Sequence, residues 1–254
     1  MSLQPPTIHR LAGSAALLAA LALAGAALPP GSLVFSAPLD IDNPFMPFVV
    51  GGSKTYEGRS GSVDTQVFDH YLAATRSFSL GGQSVGCRQL EEIVYEDGEL
   101  QEISQNWFAQ DDEGNVWYFG ETVDNYVDGV VDNHEGTWLV GGPTLPGDPP
   151  ETAVATTPGL FMPADPQPGD QWKPEDLFPF VDETVTLIKG GVEVDLAVGD
   201  FEGCILTRET SQLQGSTPER KWYAPGTGVI QVKGASESLA LVGAVGFPLG
   251  EPAD

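Results

Sequence analysis

The chain has 254 residues, of which 41% are hydrophobic, and it carries 36 acidic residues against 11 basic ones. So acidic a chain repels nucleic-acid phosphates and anionic membrane surfaces, which excludes DNA, RNA and acidic lipid as partners. The apolar content supports a core, and the length suits one large domain or two small halves.

Residues 11–28, "LAGSAALLAALALAGAAL", form an apolar run led by Arg10. A basic start followed by an apolar stretch is the layout of a secretory signal. Two small-residue cleavage patterns follow, Ala24-Gly25-Ala26 and Val34-Phe35-Ser36. The second is preferred and gives a signal peptide over 1–36, with the chain secreted or periplasmic. The alternative is a retained membrane anchor, since the run approaches the ~20 apolar residues that a span needs. No cysteine lies near either pattern, so a lipid anchor is not expected, and no second apolar run offers another span. In an exported chain the pair Cys87 and Cys204 predicts a disulfide, with a catalytic thiol as the alternative. Closing so long a loop would stabilise by roughly 4–5 kcal/mol.

The chain from 37 to 240 reads as one β-rich domain. Residues 37–52, "APLDIDNPFMPFVVGG", form an extended lead-in pinned by Phe45 and Phe48. Short runs rich in β-branched and aromatic residues follow, separated by Gly, Asp and Asn, which is the pattern of strands. The stretch "LEEIVYEDGEL" fits a helix poorly, because Asp97-Gly98 is a hairpin signal. In "NWFAQDDEGNVWYFGE", residues 106–121, Asp111 to Asn115 make the turn of a hairpin. Its outgoing strand carries aromatics on both faces, so it is expected to be covered on both sides. The next hairpin turns at Asp128-Gly129. Residues 141–180 hold ten prolines. That excludes a helix and nearly excludes a central strand, leaving a covering connection anchored by Phe161, Trp172, Phe178 and Phe180.

The two sides of this connection, about 53–140 and 181–234, resemble each other. Cys87 precedes Trp107-Phe108-Ala109, and Cys204 precedes Trp222-Tyr223-Ala224 at similar spacing, with a Gly-containing turn after each. An internal repeat would follow, with the cysteines bridging equivalent strands. The predicted fold is therefore all-β: an antiparallel curved sheet or half-barrel from two similar halves. The tail 241–254 reads as disordered or as a contact for association.

Candidate sites are few. Asp124, Asp128, Asp132 and Glu135 surround one hairpin turn and supply the oxygens that calcium takes, although not at the spacing of the D-x-D-x-D-G loop. The competing reading is a solvated acidic edge. Trp107, Trp117, Phe119, Trp172 and Trp222 are candidates to face a ligand, or else simply core. Gly82-Gln83-Ser84-Val85-Gly86 matches G-x-S-x-G, but a strand rather than a helix follows, so it reads as a turn. His70 and His134 are the only histidines after the leader, too few for a histidine-rich metal site. No phosphate-cradling glycine loop or dinucleotide fingerprint is present.

The segments "IDNPFMPFVVGGSKTYEG", "NWFAQDDEGNVWYFGE", "GLFMPADPQPGDQW" and "KWYAPGTGVIQVKG", in that order, resemble a family of exported bacterial proteins with no established activity. The resemblance covers most of residues 41–234 and implies export and a β-rich fold, not a reaction. The chain departs in its longer Pro-rich connection and its alanine- and glycine-rich tail. Without a catalytic constellation, the sequence points to a secreted, non-catalytic binding or surface-interaction protein. Its partner would be a small apolar ligand held in a concavity, or an extracellular protein, with no cofactor beyond calcium. The alternatives are a hydrolase-like enzyme using carboxylates with His70 or His134, and a structural or assembly protein.

Overall fold

The computed structural model describes residues 33–251; residues 1–32, which hold most of the expected signal, and 252–254 lie outside it. Among the described residues every regular element is a strand. The first meander is β1 (Ser53–Ser60), β2 (Val63–Leu80), β3 (Gln83–Glu96), β4 (Glu99–Gln110) and β5 (Val116–Val127). Short strands follow: β6 (Val130–Asn133), β7 (Trp138–Val140), β8 (Ala153–Ala155) and β9 (Gly159–Met162). The second meander is β10 (Gln171–Leu177), β11 (Val181–Leu196), β12 (Gly199–Thr210), β13 (Glu219–Ala224), β14 (Gly228–Lys233) and β15 (Glu237–Val245).

All pair into one sheet in the order β10-β11-β12-β13-β14-β15-β1-β2-β3-β4-β5-β7-β8, with β6 and β9 also on β5. Every pairing is antiparallel except β7 with β8. The sheet curls until β9 and β10 lie against each other. A Cβ on Gly159 would sit 1.7 Å from the Pro174 carbonyl oxygen. The result is a barrel with a single open seam between β9 and β10. Side chains stitch that seam: Trp172 Nε1 donates to the Phe161 carbonyl at 2.9 Å, and Trp138 Nε1 donates to Glu175 Oε1 at 3.3 Å.

The hairpin signals hold. Asp97 and Gly98, and Asp128 and Gly129, all take positive φ. Two consecutive left-handed residues suit the right-handed twist of a tight hairpin, which is why Asp-Gly occupies both turns. Gly81 and Gly82 make the turn between β2 and β3, and Gln83 and Ser84 already begin β3, so a strand rather than a helix follows, as read from the sequence.

The 106–121 hairpin gathers distant segments. Asp111 accepts bonds from the Glu113 and Asn115 amides, from Asn115 Nδ2, and from Trp117 Nε1 at 2.7 Å. Asn43 Nδ2 donates to the Gly114 and Pro163 carbonyls, and the Ala164 amide donates to Asn115 Oδ1. The Gly226 amide donates to the Pro44 carbonyl. The "IDNPF", "WFAQDDEGN", "MPADP" and "YAPGTG" segments thus meet at one end of the barrel and cap it.

The expected disulfide is absent: Cys87 and Cys204 are both free and buried. Arg88 pairs with Phe108 on β4, and Ile205 pairs with Tyr223 on β13. Each cysteine therefore sits one residue before the matching position of its own hairpin. Those matching positions lie on different walls, with five strands between β3 and β12. Cys87 packs in the larger apolar cluster and Cys204 in the smaller one.

Three other expectations change. The tail read as disordered instead supplies β15, which bridges β14 and β1, and Phe247, which is buried in the core. The Pro-rich connection contributes β8, β9 and β10; Pro174 is accommodated where the β10 register shifts, next to the seam. Phe161 and Trp172 pack as anchors, but Phe178 and Phe180 are 60% and 65% exposed. What fastens the connection is a buried ion pair: Arg76 reaches Asp148 with two bonds, 2.8 and 2.7 Å. The Thr144 and Leu145 amides complete the Asp148 carboxylate, and the guanidinium lies over the Phe78 and Trp107 rings.

Removing one partner of a buried pair leaves the other charge uncompensated, at a cost of roughly 3–5 kcal/mol. Arg76→Ala is accordingly expected to lose about that much in denaturant unfolding, and a loss below 1 kcal/mol would contradict the role of the pair. The packing also bears on processing. Phe35 is buried against Phe119, and Ser36 holds both carboxylate oxygens of Asp112 at 2.7 Å. Cleavage after Ser36 would remove both contacts, so a processed chain is expected to start at Ala27. Intact mass without reductant should show that start and, after unfolding and alkylation, two modified thiols.

Candidate functional site

Inside the barrel lies a cavity of about 370 Å³, open to one side. Alternation along the strands decides what faces it. From β1 come Lys54, Tyr56 and Ser60; from β2, Thr65, Val67, Asp69 and Tyr71; from β3, Leu90, Glu92, Val94 and Glu96. β4 adds Asn106 and Phe108, β13 adds Glu219, Lys221 and Tyr223, and β15 adds Glu237 and Leu239. Met46 closes the capped end. Ser60, Glu96, Glu219 and Glu237 sit next to the β1–β2, β3–β4 and β14–β15 turns, at the other end. A wider depression of about 660 Å³ lies on the outer β1–β2 hairpin, but the acids on it, Glu57, Asp64 and Asp97, are exposed.

Register brings the charges together. Lys54 is directly opposite Asp69, and Asp69 is directly opposite Glu92. Two carboxyl groups facing each other across a ladder are unfavourable unless one is protonated or a cation intervenes. Burial pushes Glu92 up to about 8, helped by the Asp69 and Glu102 charges. Burial also raises Asp69, against the pull of Lys54, and lowers Lys54 to about 8, against the pull of Asp69. The Lys54 ammonium lies 5.1 Å from the Tyr71 ring centroid and 4.6 Å from that of Phe247. Asp69 is 7% exposed, and its Oδ1 has no hydrogen-bond partner.

A second charged group stands on the β11–β13 wall. Lys221 Nζ is 2.5 Å from Glu209 Oε2, and Tyr223 donates to Glu209 Oε1 at 3.2 Å. Burial works against the Lys221 ammonium, but the Glu209 and Glu183 charges outweigh it and hold its pKa well above the usual lysine value. Glu183 and Glu121, buried beside other acids, are held well above the carboxylate range. Glu237, at the open end, is raised to about 7 by burial and by Glu219. The remaining wall is aromatic: Phe108 stacks on Tyr118 at 4.8 Å, and Phe161 meets both edge-on.

The five aromatics read as ligand-facing do not line this cavity. Trp107 and Phe119 pack with Phe78 on the other side of the sheet, Trp117 is tied to Asp111, Trp172 bonds Phe161, and Trp222 lies under Lys233. Phe108, Tyr118 and Tyr223, each adjacent in sequence to one of them, line it instead. A one-residue offset changes the face in a strand, and in both hairpins a bulge falls at this point, between Trp107 and Phe108 and between Trp222 and Tyr223. Gly120 permits the first: its φ is 122°, and a Cβ there would meet the Trp138 carbonyl oxygen at 2.3 Å.

The candidate calcium ligands are not gathered. Asp124 pairs with His134 Nδ1 at 2.8 Å rather than facing Asp132, which accepts a bond from Asn133. Asp128 occupies the turn, and Glu135 lies in the loop beyond β6. Among the described residues no group of three or more His, Cys, Asp or Glu is placed to hold a metal ion. Neither His70 nor His134 lines the cavity. Among the described residues no helix is long and apolar enough to cross a membrane.

No protein-family model and no curated protein matches the chain. One solved structure, described as a "putative lipoprotein" from Parabacteroides distasonis, overlaps 80% of this chain and 99% of its own at 10% identity and a TM-score of 0.35. A likeness of that degree says nothing about the cavity.

The carboxyl groups give stability a definite pH dependence. Glu92 and Glu237 bind protons more tightly folded than unfolded, so between about pH 4.5 and 8 their contribution falls as pH rises. Lys54 has the opposite sign, its contribution recovering only between about 8 and 10.5. Thermal melts should therefore decline from pH 5 to 8, and Glu92→Gln should flatten that decline. A Glu92→Gln protein with an unchanged slope would contradict the assignment.

Proposed function

We propose that the chain is an exported, non-catalytic binding protein whose barrel lumen holds a small ligand. The basic-then-apolar start of the sequence supports export. The cavity carries the binding reading: it has the size of a small-molecule site, about 300–1,000 Å³, and Asp69, whose buried Oδ1 has no hydrogen-bond partner, is among the residues that line it. Such a group is costly in a closed interior and is relieved by a partner. The lumen is not the apolar concavity expected from sequence; its ligand has to satisfy charge as well as bury carbon.

Native mass spectrometry of the exported protein tests this reading. A small-molecule adduct is expected, and it should disappear in Val67→Phe, which fills the lumen with an apolar group. A bare mass under gentle ionisation, with no adduct regained on exposure to host extract, would overturn it.

One observation favours a second reading, an enzyme. Lys54, with its pKa lowered to about 8 beside a raised carboxyl, has the form of a proton-transfer or nucleophilic amine. Turnover abolished by Lys54→Met would establish it in place of binding alone.

A further inference from the structure

The sign of the lumen's unmet charge specifies the ligand. Five carboxyl groups line the cavity, Asp69, Glu92, Glu96, Glu219 and Glu237, against two ammonium groups, Lys54 and Lys221. Both lysines already stand beside an acid of the wall. Lys221 is in contact with Glu209, and Lys54 stands over two rings opposite Asp69. What is left over is acidic: Tyr56 and Glu92 hydrogen-bond the Asp69 carboxylate, but its Oδ1 has no partner, and Glu92 is a second carboxyl directly opposite. An anion would add to the excess, whereas a cation would be held by both groups.

The same space rules on the kind of cation. It is far larger than a single ion, and its wall beside the acids is aromatic, with Tyr71, Phe108 and Tyr118 buried around it. Aromatic faces and carboxylates together favour an ammonium that carries an apolar body.

Resting on the lumen-binding reading, we propose that this site takes an organic ammonium, with its charged head between Asp69 and Glu92 and its apolar body against Tyr71, Phe108 and Tyr118. The groups facing Glu92 are Asp69 on β2, Glu102 on β4, Lys221 on β13 and Glu237 on β15, with Lys54 on β1 acting through Asp69. In the empty lumen these acids keep protons that a bound cation displaces. Binding is therefore coupled to proton release, and affinity rises with pH until the acids are ionised.

Isothermal titration calorimetry of the full exported protein with three probes that share a phenylethyl body tests the proposal: 2-phenylethylammonium, 2-phenylethanol and 3-phenylpropanoate. The ammonium should bind saturably at pH 8, the alcohol at least tenfold more weakly, and the carboxylate not at all. At pH 7 the ammonium's heat should vary with the ionisation enthalpy of the buffer, reporting protons released. Asp69→Asn and Glu92→Gln, checked for folding by circular dichroism, should each weaken the ammonium at least tenfold and leave the alcohol unchanged. Equal or tighter binding of the alcohol or the carboxylate would overturn the charge assignment and leave lumen binding standing. A saturable calcium chloride heat abolished by Glu92→Gln would overturn the organic character of the ligand. No binding of any probe to the unmodified protein would overturn this proposal; the adduct measurement decides separately whether the lumen binds anything.

Discussion

A carboxyl group inside a barrel has to be protonated, paired or provided with a cation, because the interior does not solvate its charge. The architecture of this chain follows from how it meets that constraint. On the β11–β13 wall Lys221 and Glu209 neutralise each other and Tyr223 completes the pair. In the β1–β3 row the balance fails: Lys54 faces Asp69, but Asp69 also faces Glu92, and Lys221, the other cation that acts on Glu92, is already in contact with Glu209. The excess is carried as retained protons and as one oxygen with no partner. A fold optimised only for stability would place apolar side chains there, since replacing buried charges with well-packed carbon is often neutral or better. The unmet charge is where stability has been left incomplete, and it coincides with the cavity.

The rest of the molecule serves to hold that space. The long hairpin around Asp111 does not present a surface of its own. Its turn is internally bonded, and Asn43, Pro163 and Ala164 meet it so that the lead-in and the Pro-rich connection close one end of the barrel. The Arg76–Asp148 pair fastens the same connection to β2 over an aromatic bed. The motifs that stand out in the sequence are thus chiefly the fastenings of a container. The residues that face its contents are less conspicuous, spread singly along strands between polar and apolar neighbours.

The two hairpins that resemble each other in sequence also resemble each other in detail. Each has a bulge after its tryptophan, and each has a cysteine one position before the residue paired with its inward-facing aromatic. The same similarity that suggested a disulfide explains why there is none: equivalent positions in two halves of a barrel occupy different walls.

By itself the sequence determined the strand-rich class, the Asp-Gly turns, and the turn at Gly81-Gly82 with a strand after it, because each depends on residues close together in the chain. Period-two patterns marked the strands, yet could not say which face was inside. In β2, Thr65, Val67, Asp69 and Tyr71 alternate with Gln66, Phe68 and His70, and both sets mix polar with apolar residues. Only closure of the sheet selects the first set. Tertiary structure likewise decided the separation of the cysteines, the use of the tail as β15, and the row of Lys54, Asp69 and Glu92. The physical reason is common to all three: register and barrel closure are set by pairings between strands remote in sequence, and a one-residue change in either would turn a different set of side chains toward the lumen.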